Sequence, residues 1–383
     1  MSNTDRRALE DAVDRLLDAP APAGALALAQ ALRERHGETV AAVLFYGSNF
    51  RRGDDSEGLL DLYVLVDDAR AALGKRLSAV ACRRLPPNVY YLELPLPDRT
   101  LRCKYALLEI GAFSRYMTAR QSYFWGRFGQ ASGLLYARDT AVRVKVSQAI
   151  AQAVLTLLGR SLPLLDDDFD EATWWRTALA ACYAAELRPE RPSAVDGLVR
   201  DLAPWRGALT PLAVRCLPGV TGDAGGYRQS LARGARFAGR LRWTGRRLLG
   251  KGLNLARLVK ASFTFAGGVD YLLWKVERHS GVRIEPTPFL RRHPLLGIWG
   301  VAWRRGRQGG FRGAPPLPIR TRLERVSYFC ASAGACAASG LMVTPRSFSA
   351  WTSAAALALS RSARRATPAA RASSCARIFW ALL

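Results

Sequence analysis

The stretch VLFYGSNFRRGDDSEGLLDLYVLVDD, residues 43 to 68, constrains the fold more than any other part of the chain. Ala41 to Tyr46 is a short apolar run with valine and aromatic residues that stops at Gly47, and Leu59 to Val66 repeats the pattern. Both read as buried strands. Between them lie Ser48 and a charged loop. Asp61 is out of place in such a run, because a carboxylate inside a sheet needs a cation, a cluster of donors or a metal ion to offset its desolvation.

The flanks extend this pair into a layered protein. Leu9, Val13, Leu16 and Leu17 recur at helical spacing, and ALALAQALRERHG continues as a second helix ending at Gly37. After Asp68, ARAALGKRLSAVACRRL predicts one helix, and NVYYLELPL and TLRCKYALLEI predict two strands. This order implies an α+β fold: a mixed sheet with helices packed against it. From Ala112 the pattern is helical through AFSRYMTARQSYFWGRFGQ and TAVRVKVSQAIAQAVLTLLGRSL, then an acidic loop, LLDDDFDEA, precedes a helix through TWWRTALAACYAAEL. Proline and glycine punctuate residues 189 to 226, which read as a hinge or irregular linker. A strongly basic stretch with helical spacing begins at Tyr227.

These shifts divide the chain into residues 1–110 with the strands, 111–226 as a helical second domain, 227–320 as a basic helical region, and 321–383 as a tail. From Arg325 onward there is no Asp, Glu or Lys, and Ala, Ser and Arg dominate. That bias fits a disordered low-complexity extension or the product of a frame change in a GC-rich gene, and it assigns the tail no function.

Charge narrows the partners. The 383 residues carry a formal net charge of +25 with 49% hydrophobic content, enough for packed cores and far from neutrality. Such a balance calls for an anionic partner, nucleic acid or an anionic membrane surface. Seven cysteines without a C-x-x-C pair point to reduced thiols, and three scattered histidines, His36, His279 and His293, argue against zinc. The N-terminal MSNTDRRALEDAVDRLL is charged and amphipathic, unlike a secretory signal, and no run of about 18 to 20 apolar residues is expected to span a bilayer. Together these features predict a cytoplasmic protein, peripheral on the inner face of the membrane.

A strand that ends in Gly-Ser lets backbone amides and a hydroxyl approach a phosphate, since glycine has no side chain in the way. A carboxylate on the neighbouring strand then suits a magnesium ion (Mg2+) bridging the same phosphates. Gly47, Ser48 and Asp61 are thus the parts of a nucleotidyl-transfer site, with an ordinary strand-to-loop turn and a strand-start carboxylate bonded to local amides as the alternative. Asp61, Tyr63, Leu65 and Asp67 share one strand face, but six residues separate Asp61 from Asp67 by about 20 Å, too far to hold one ion. Tyr63 stands two residues after Asp61, where polymerase-type sites carry a second acid. Glu93, on YYLEL, is the nearest acid on another predicted strand and the candidate second metal ligand, with a water-facing edge carboxylate as the alternative. Lys104 is a candidate phosphate clamp, with a solvated strand lysine as the alternative.

The series FYGSNF, LLDLYVLVDD, NVYYLELPLPDRTLRCKYALLE and YMTARQSYFWGRF resembles the mitochondrial-type phosphatidate cytidylyltransferases, the mitochondrial translocator assembly and maintenance protein family. Tyr46, Gly47, Ser48, Asp61, Val89, Tyr90, Tyr91, Lys104, Tyr105, Gly126 and Arg127 stand at matching places, in order, over residues 41 to 136. Ala106 and Asn49 depart from glycines of the family pattern. The resemblance implies a nucleotidyltransferase-like fold and condensation of CTP with phosphatidic acid to give CDP-diacylglycerol and pyrophosphate, with magnesium as cofactor. It implies catalytic roles for Asp61 and Lys104 and nucleotide contacts for Tyr46, Gly47 and Ser48.

Two motifs elsewhere need placing. GRRLLGKG, residues 245 to 252, has the glycine and lysine spacing of a phosphate-binding loop but ends in Gly252 and follows no strand, so a basic helix is the better reading. Arg242, Arg246, Arg247 and Lys251 would face acidic headgroups there, with Leu241, Trp243, Leu248, Leu249, Leu253 and Leu255 entering the interface, or else the leucines pack into a core. DDDFDE, residues 166 to 171, lacks the spacing of a calcium loop and reads as a helix-start cluster. Nucleic acid is the weaker alternative partner: SYFWGRF and LRWTGRR interleave aromatics with arginine, as an RNA-binding or RNA-modifying nucleotidyltransferase would, but no RNA-recognition motif occurs. A noncatalytic lipid-binding scaffold is the third reading.

Overall fold

Two amphipathic helices, α1 (Asn3–Leu17) and α2 (Ala23–His36), open the chain. In α1 the Ser2 hydroxyl caps the first turn, accepting from the Thr4 amide at 3.2 Å, and Leu9, Val13 and Leu17 are buried. The computed structural model describes residues 2–55, 59–186, 192–223 and 225–264, all within the unit Met1–Gly268. The proposed 321–383 tail and the basic region beyond residue 264 lie outside the described residues.

The two apolar runs pair as their pattern predicts. Strand β1 (Val40–Tyr46) leads into a short helix, α3 (Gly47–Arg52), and antiparallel β2 (Leu60–Val66) returns beside β1 with Asp61 opposite Tyr46. After β2 the single helix expected over 69–85 is broken. Asp68 caps α4 (Ala69–Leu73), Gly74 ends it with φ +63°, and α5 (Arg76–Arg84) restarts. Strands β3 (Asn88–Pro95) and β4 (Thr100–Glu109) follow as expected. β4 runs parallel to β2, and the other pairings are antiparallel, so the sheet is mixed, with order β3-β4-β2-β1-β5.

The fifth strand is a correction. Residues 112–130 form no long helix but two short ones, α6 (Ile110–Tyr116) and α7 (Trp125–Phe128), before β5 (Ser132–Ala137) pairs with β1. The aromatics of this segment are buried in several directions rather than along one helical face: Phe113 and Phe128 meet at 4.7 Å, Tyr116 stacks on Phe124 at 4.8 Å, and Trp125 meets the distant Trp243.

Alternation along the strands gives the sheet two covered faces. Leu62 and Tyr105 point to α2, where His36 accepts or donates through Nε2 to the Tyr105 hydroxyl at 3.2 Å. Tyr63 points the other way, where its ring meets Phe128 at 4.8 Å beneath the central helix α8 (Thr140–Ser161). The sequence expectation of no spanning-length apolar run is also corrected. Residues Thr140–Leu164 are long and apolar enough to cross a bilayer, with a mean hydropathy of 1.3, but 67% of that window is buried inside the protein, as in a core helix.

Beyond α8, the acidic run is spent on local partners. Asp168 and Phe169 form β6, Asp170 caps α9 (Glu171–Tyr183) by accepting from the Thr173 amide at 2.6 Å, and Glu171 pairs with Arg206 at 2.5 Å. Within the proposed linker at 189–226, the described residues are folded. Helices α10 (Pro192–Asp201) and α11 (Ala203–Cys216) precede the hairpin of β7 (Val220–Asp223) and β8 (Gly226–Gln229), which joins β6 in a second sheet. Pro192 opens α10 and Pro204 lies in the first turn of α11, where a missing N–H costs nothing. Trp205 fixes α11 by donating from Nε1 to the Gly129 carbonyl at 2.9 Å. The long helix α12 (Arg233–Thr264) completes the described chain.

Candidate functional site

Strand register assembles the site. One transverse row reads Tyr91, Lys104, Asp61, Tyr46, Ser132 across β3, β4, β2, β1 and β5. Residues opposite one another share a sheet face, so segments up to about 90 residues apart present their polar ends together. Asp61 is half-buried rather than enclosed, and makes no ion pair or hydrogen bond among the described residues.

The turn after β1 depends on glycine. Gly47 has φ +89°, and a Cβ placed there would lie 3.0 Å from Asp61 Oδ2. An L side chain would be strained and would push the carboxylate away. Ser48 is the second residue of α3, with its hydroxyl donating to Asn49 Oδ1 at 3.3 Å.

A cavity of about 270 Å³ opens on this row. Tyr46, Gly47, Ser48 and Asp61 form one side, and Arg51, Tyr123, Gly126, Arg127, Gln130, Tyr183 and Glu186 supply the rest with Ser122, Ala131 and Cys182. Gly126 lets α7 approach α9 closely, since a Cβ would sit 2.9 Å from Cys182 Sγ.

Charge in the cavity is organised around Arg127. Its Nη1 donates to the Tyr123 hydroxyl at 3.0 Å, and Nη2 lies 3.9 Å from Glu186. Burial opposes its charge, but the hydroxyls of Tyr123, Tyr46 and Tyr63 together with Glu186 outweigh that and hold its pKa above the ordinary arginine value. Tyr46 and Tyr63 are shifted upward, chiefly by burial. The Tyr63 hydroxyl is fully enclosed beside Tyr123 and Arg127, without a hydrogen bond of normal geometry among the described residues. Tyr123 goes the other way: burial pushes it up, but Arg127, Arg257 and Lys104 together bring it down. Arg51 lies 3.6 Å from Asp201, and its buried Nε makes no hydrogen bond among the described residues.

Of the residues expected from sequence, Tyr46, Gly47, Ser48 and Asp61 line this cavity, and Lys104 is the β4 neighbour of Asp61 in the row. Glu93 is not brought to them. It accepts from the Tyr91 hydroxyl at 2.7 Å and Arg102 Nε at 2.9 Å, two strands over and about 12 Å from Asp61. Asp67, just past the end of β2, is paired with Arg138.

Magnesium fits this donor set in one form. Among the described residues no three acidic, histidine or cysteine side chains cluster to cage an ion. An ion that arrives on nucleotide phosphates needs only one or two protein carboxylates, and the open Asp61 carboxylate supplies one.

The residues expected to face a membrane divide. Arg242, Arg247 and Lys251 are exposed on α12, along with Phe237, Leu241, Leu248 and Leu255, which fall on one helical face. Arg246 turns inward instead. Its guanidinium lies 4.8 Å from the Trp243 ring, Nε donates to the Arg120 carbonyl at 3.0 Å, and desolvation pushes its pKa down to about 10. Trp243, expected in the interface, is buried and donates from Nε1 to the Arg160 carbonyl at 2.7 Å. GRRLLGKG lies inside α12, so no phosphate loop forms there.

Arg51, Tyr123, Gln130, Tyr183 and Glu186 were missed by sequence reasoning. SYFWGRF held a signal for one of them: Gly126 and Arg127, singled out there by resemblance, stand three and four residues after Tyr123. No family model matches the sequence, and no curated protein matches it.

Proposed function

We propose that this chain is a nucleotidyltransferase that condenses CTP with phosphatidic acid, forming CDP-diacylglycerol and pyrophosphate at a membrane surface, on a nucleotidyltransferase-like sheet. The observation that carries the reading is the register row itself: a glycine-permitted turn at the end of β1, an open carboxylate beside it near the start of β2 and a lysine next to that on β4, beside a cavity with two arginines.

In this reading the triphosphate enters along Gly47 and Ser48, where the missing side chain leaves room for phosphate oxygens. Asp61 would hold magnesium, which supplies charge neutralisation of the phosphates when bound. Arg127 and Arg51 face the β- and γ-phosphates and stabilise the charge that builds on departing pyrophosphate. Lys104 orients the phosphate of the acceptor lipid. An oxygen of that phosphate forms a bond to the α-phosphorus as the bond to the β-phosphate oxygen breaks. The acceptor is already anionic near neutral pH, so no side chain has to remove a proton. Tyr46, Tyr123 and Tyr183 narrow the cavity against water.

A membrane-bound acceptor agrees with α12, which has no acidic residue in 32 and exposes an apolar face flanked by Arg240, Arg247 and Lys251. The test is incubation of the purified chain with magnesium, each α-labelled nucleoside triphosphate in turn, and micelles containing phosphatidic acid. A labelled lipid formed from CTP alone supports the reading. Label appearing on RNA, or on no acceptor, rejects it.

A further inference from the structure

Arg257 is the one described arginine that is almost wholly buried, at 9% exposure. It reaches from α12 to the cavity wall. Its guanidinium lies 4.1 Å from the Tyr123 ring centroid, Nε donates to the Pro86 carbonyl at 2.9 Å, Nη1 to Asn254 Oδ1 at 2.8 Å and Nη2 to Gln121 Oε1 at 2.5 Å. Every one of these acceptors is neutral. Burying a guanidinium with no counter-ion among the described residues is costly, and simple anchorage of α12 does not need it. Lys260, one turn further on, already fastens the helix to the same turn through the Leu85 and Pro87 carbonyls at 2.5 and 2.6 Å.

Beyond that turn, Arg257 touches Gln121 and Tyr123. That ring carries a second guanidinium, Arg127 at 4.6 Å, whose Nη1 also holds the Tyr123 hydroxyl. We propose that Arg257 is a positioning residue of the cavity: by fixing Tyr123 and Gln121 it holds the hydroxyl that orients Arg127, and so sets how firmly the site grips phosphate. The proposal rests on reading the cavity as a phosphate site. It makes α12 part of the site wall as well as a surface helix.

The phenol of Tyr123 reports on this arrangement. It faces Arg127 from α7, Arg257 from α12, Lys104 from β4 and the Tyr63 hydroxyl from β2, and the three cations lower its pKa against the effect of burial. Ultraviolet titration of tyrosine ionisation in the full chain should show an early step that Tyr123→Phe removes. Arg257→Gln should move that step upward by about one pH unit, and Lys260→Met should leave it in place. Calorimetry with magnesium and inorganic pyrophosphate should show binding about tenfold weaker in Arg257→Gln, the scale of losing a residue that orients a direct ligand. Arg257→Lys should recover part of the affinity, and Lys260→Met should bind as the wild type does. An unmoved tyrosine step, a moved step with unchanged pyrophosphate binding, or an equal loss in Lys260→Met overturns the proposal. If the wild type binds no pyrophosphate, the phosphate reading fails instead, and the tyrosine step alone decides whether Arg257 holds Tyr123.

Discussion

Gly47 and His36 show how much single residues decide here. With φ +89° and Asp61 Oδ2 at 3.0 Å from a built Cβ, Gly47→Ala should cost about 1–2 kcal/mol in denaturant unfolding and displace the carboxylate, with transfer activity lost in the protein that still folds. Normal activity in that variant would place the phosphate site elsewhere. His36 sits between the Ala72 carbonyl and the Tyr105 hydroxyl, and desolvation lowers its pKa below the ordinary histidine value. The unfolded chain therefore takes up a proton near pH 6.5 that the folded chain resists, so stability falls as pH drops below about 6.5. Thermal melting between pH 7 and pH 5 should steepen less in His36→Gln than in the wild type. Equal slopes would mean the ring protonates in place. Tyr46, Gly47, Ser48, Asp61 and Lys104 were legible in the sequence because each sits at a recognisable strand or strand end. Glu93 was placed on the right strand, but sequence gives no cross-strand distance, and its ion pair with Arg102 was out of view.

Among elements, α12 separates two roles that helical periodicity alone mixed together. Its buried side carries Trp243, Arg246 and Arg257, and its outward side carries Phe237, Leu241, Leu248 and Leu255. Charge reversal at Arg242 and Arg247 should weaken binding to anionic vesicles by more than tenfold at low salt, since each basic residue near such a surface is worth about 1 kcal/mol, and should leave the melting temperature unchanged. Arg246→Glu should instead lower the melting temperature, because it places a carboxylate against two tryptophans. Unaltered vesicle sedimentation in the double variant would assign the outward face to another partner. Strands β1 to β4 were legible from their apolar runs. β5 was not, because SGLLYA is short and follows aromatic residues that mimic a helix until tertiary packing disperses them. Residues 192–226 misled for the opposite reason: Pro192 and Pro204 open helices rather than end them, and Pro211 is carried inside α11.

For the whole molecule, one buried cluster runs from Leu9 in α1 to Trp243 in α12, so the strands and the later helices share a core within Met1–Gly268. A chain ending at Gly268 should unfold in a single cooperative transition and retain transfer to phosphatidic acid; two separate transitions would show that the shared core does not act as one folding unit. That core is what brings Arg127, Tyr123 and Glu186 across to a row of strand residues, a convergence that no local pattern in the sequence announces. The account turns on Asp61 as the carboxylate that serves the phosphates. Turnover of purified Asp61→Asn, measured as pyrophosphate released from CTP in the presence of magnesium and phosphatidic acid, should fall at least about a hundredfold while the melting temperature stays near that of the wild type. Turnover close to the wild-type rate in a folded Asp61→Asn protein would contradict the account and move the chemistry away from this cavity.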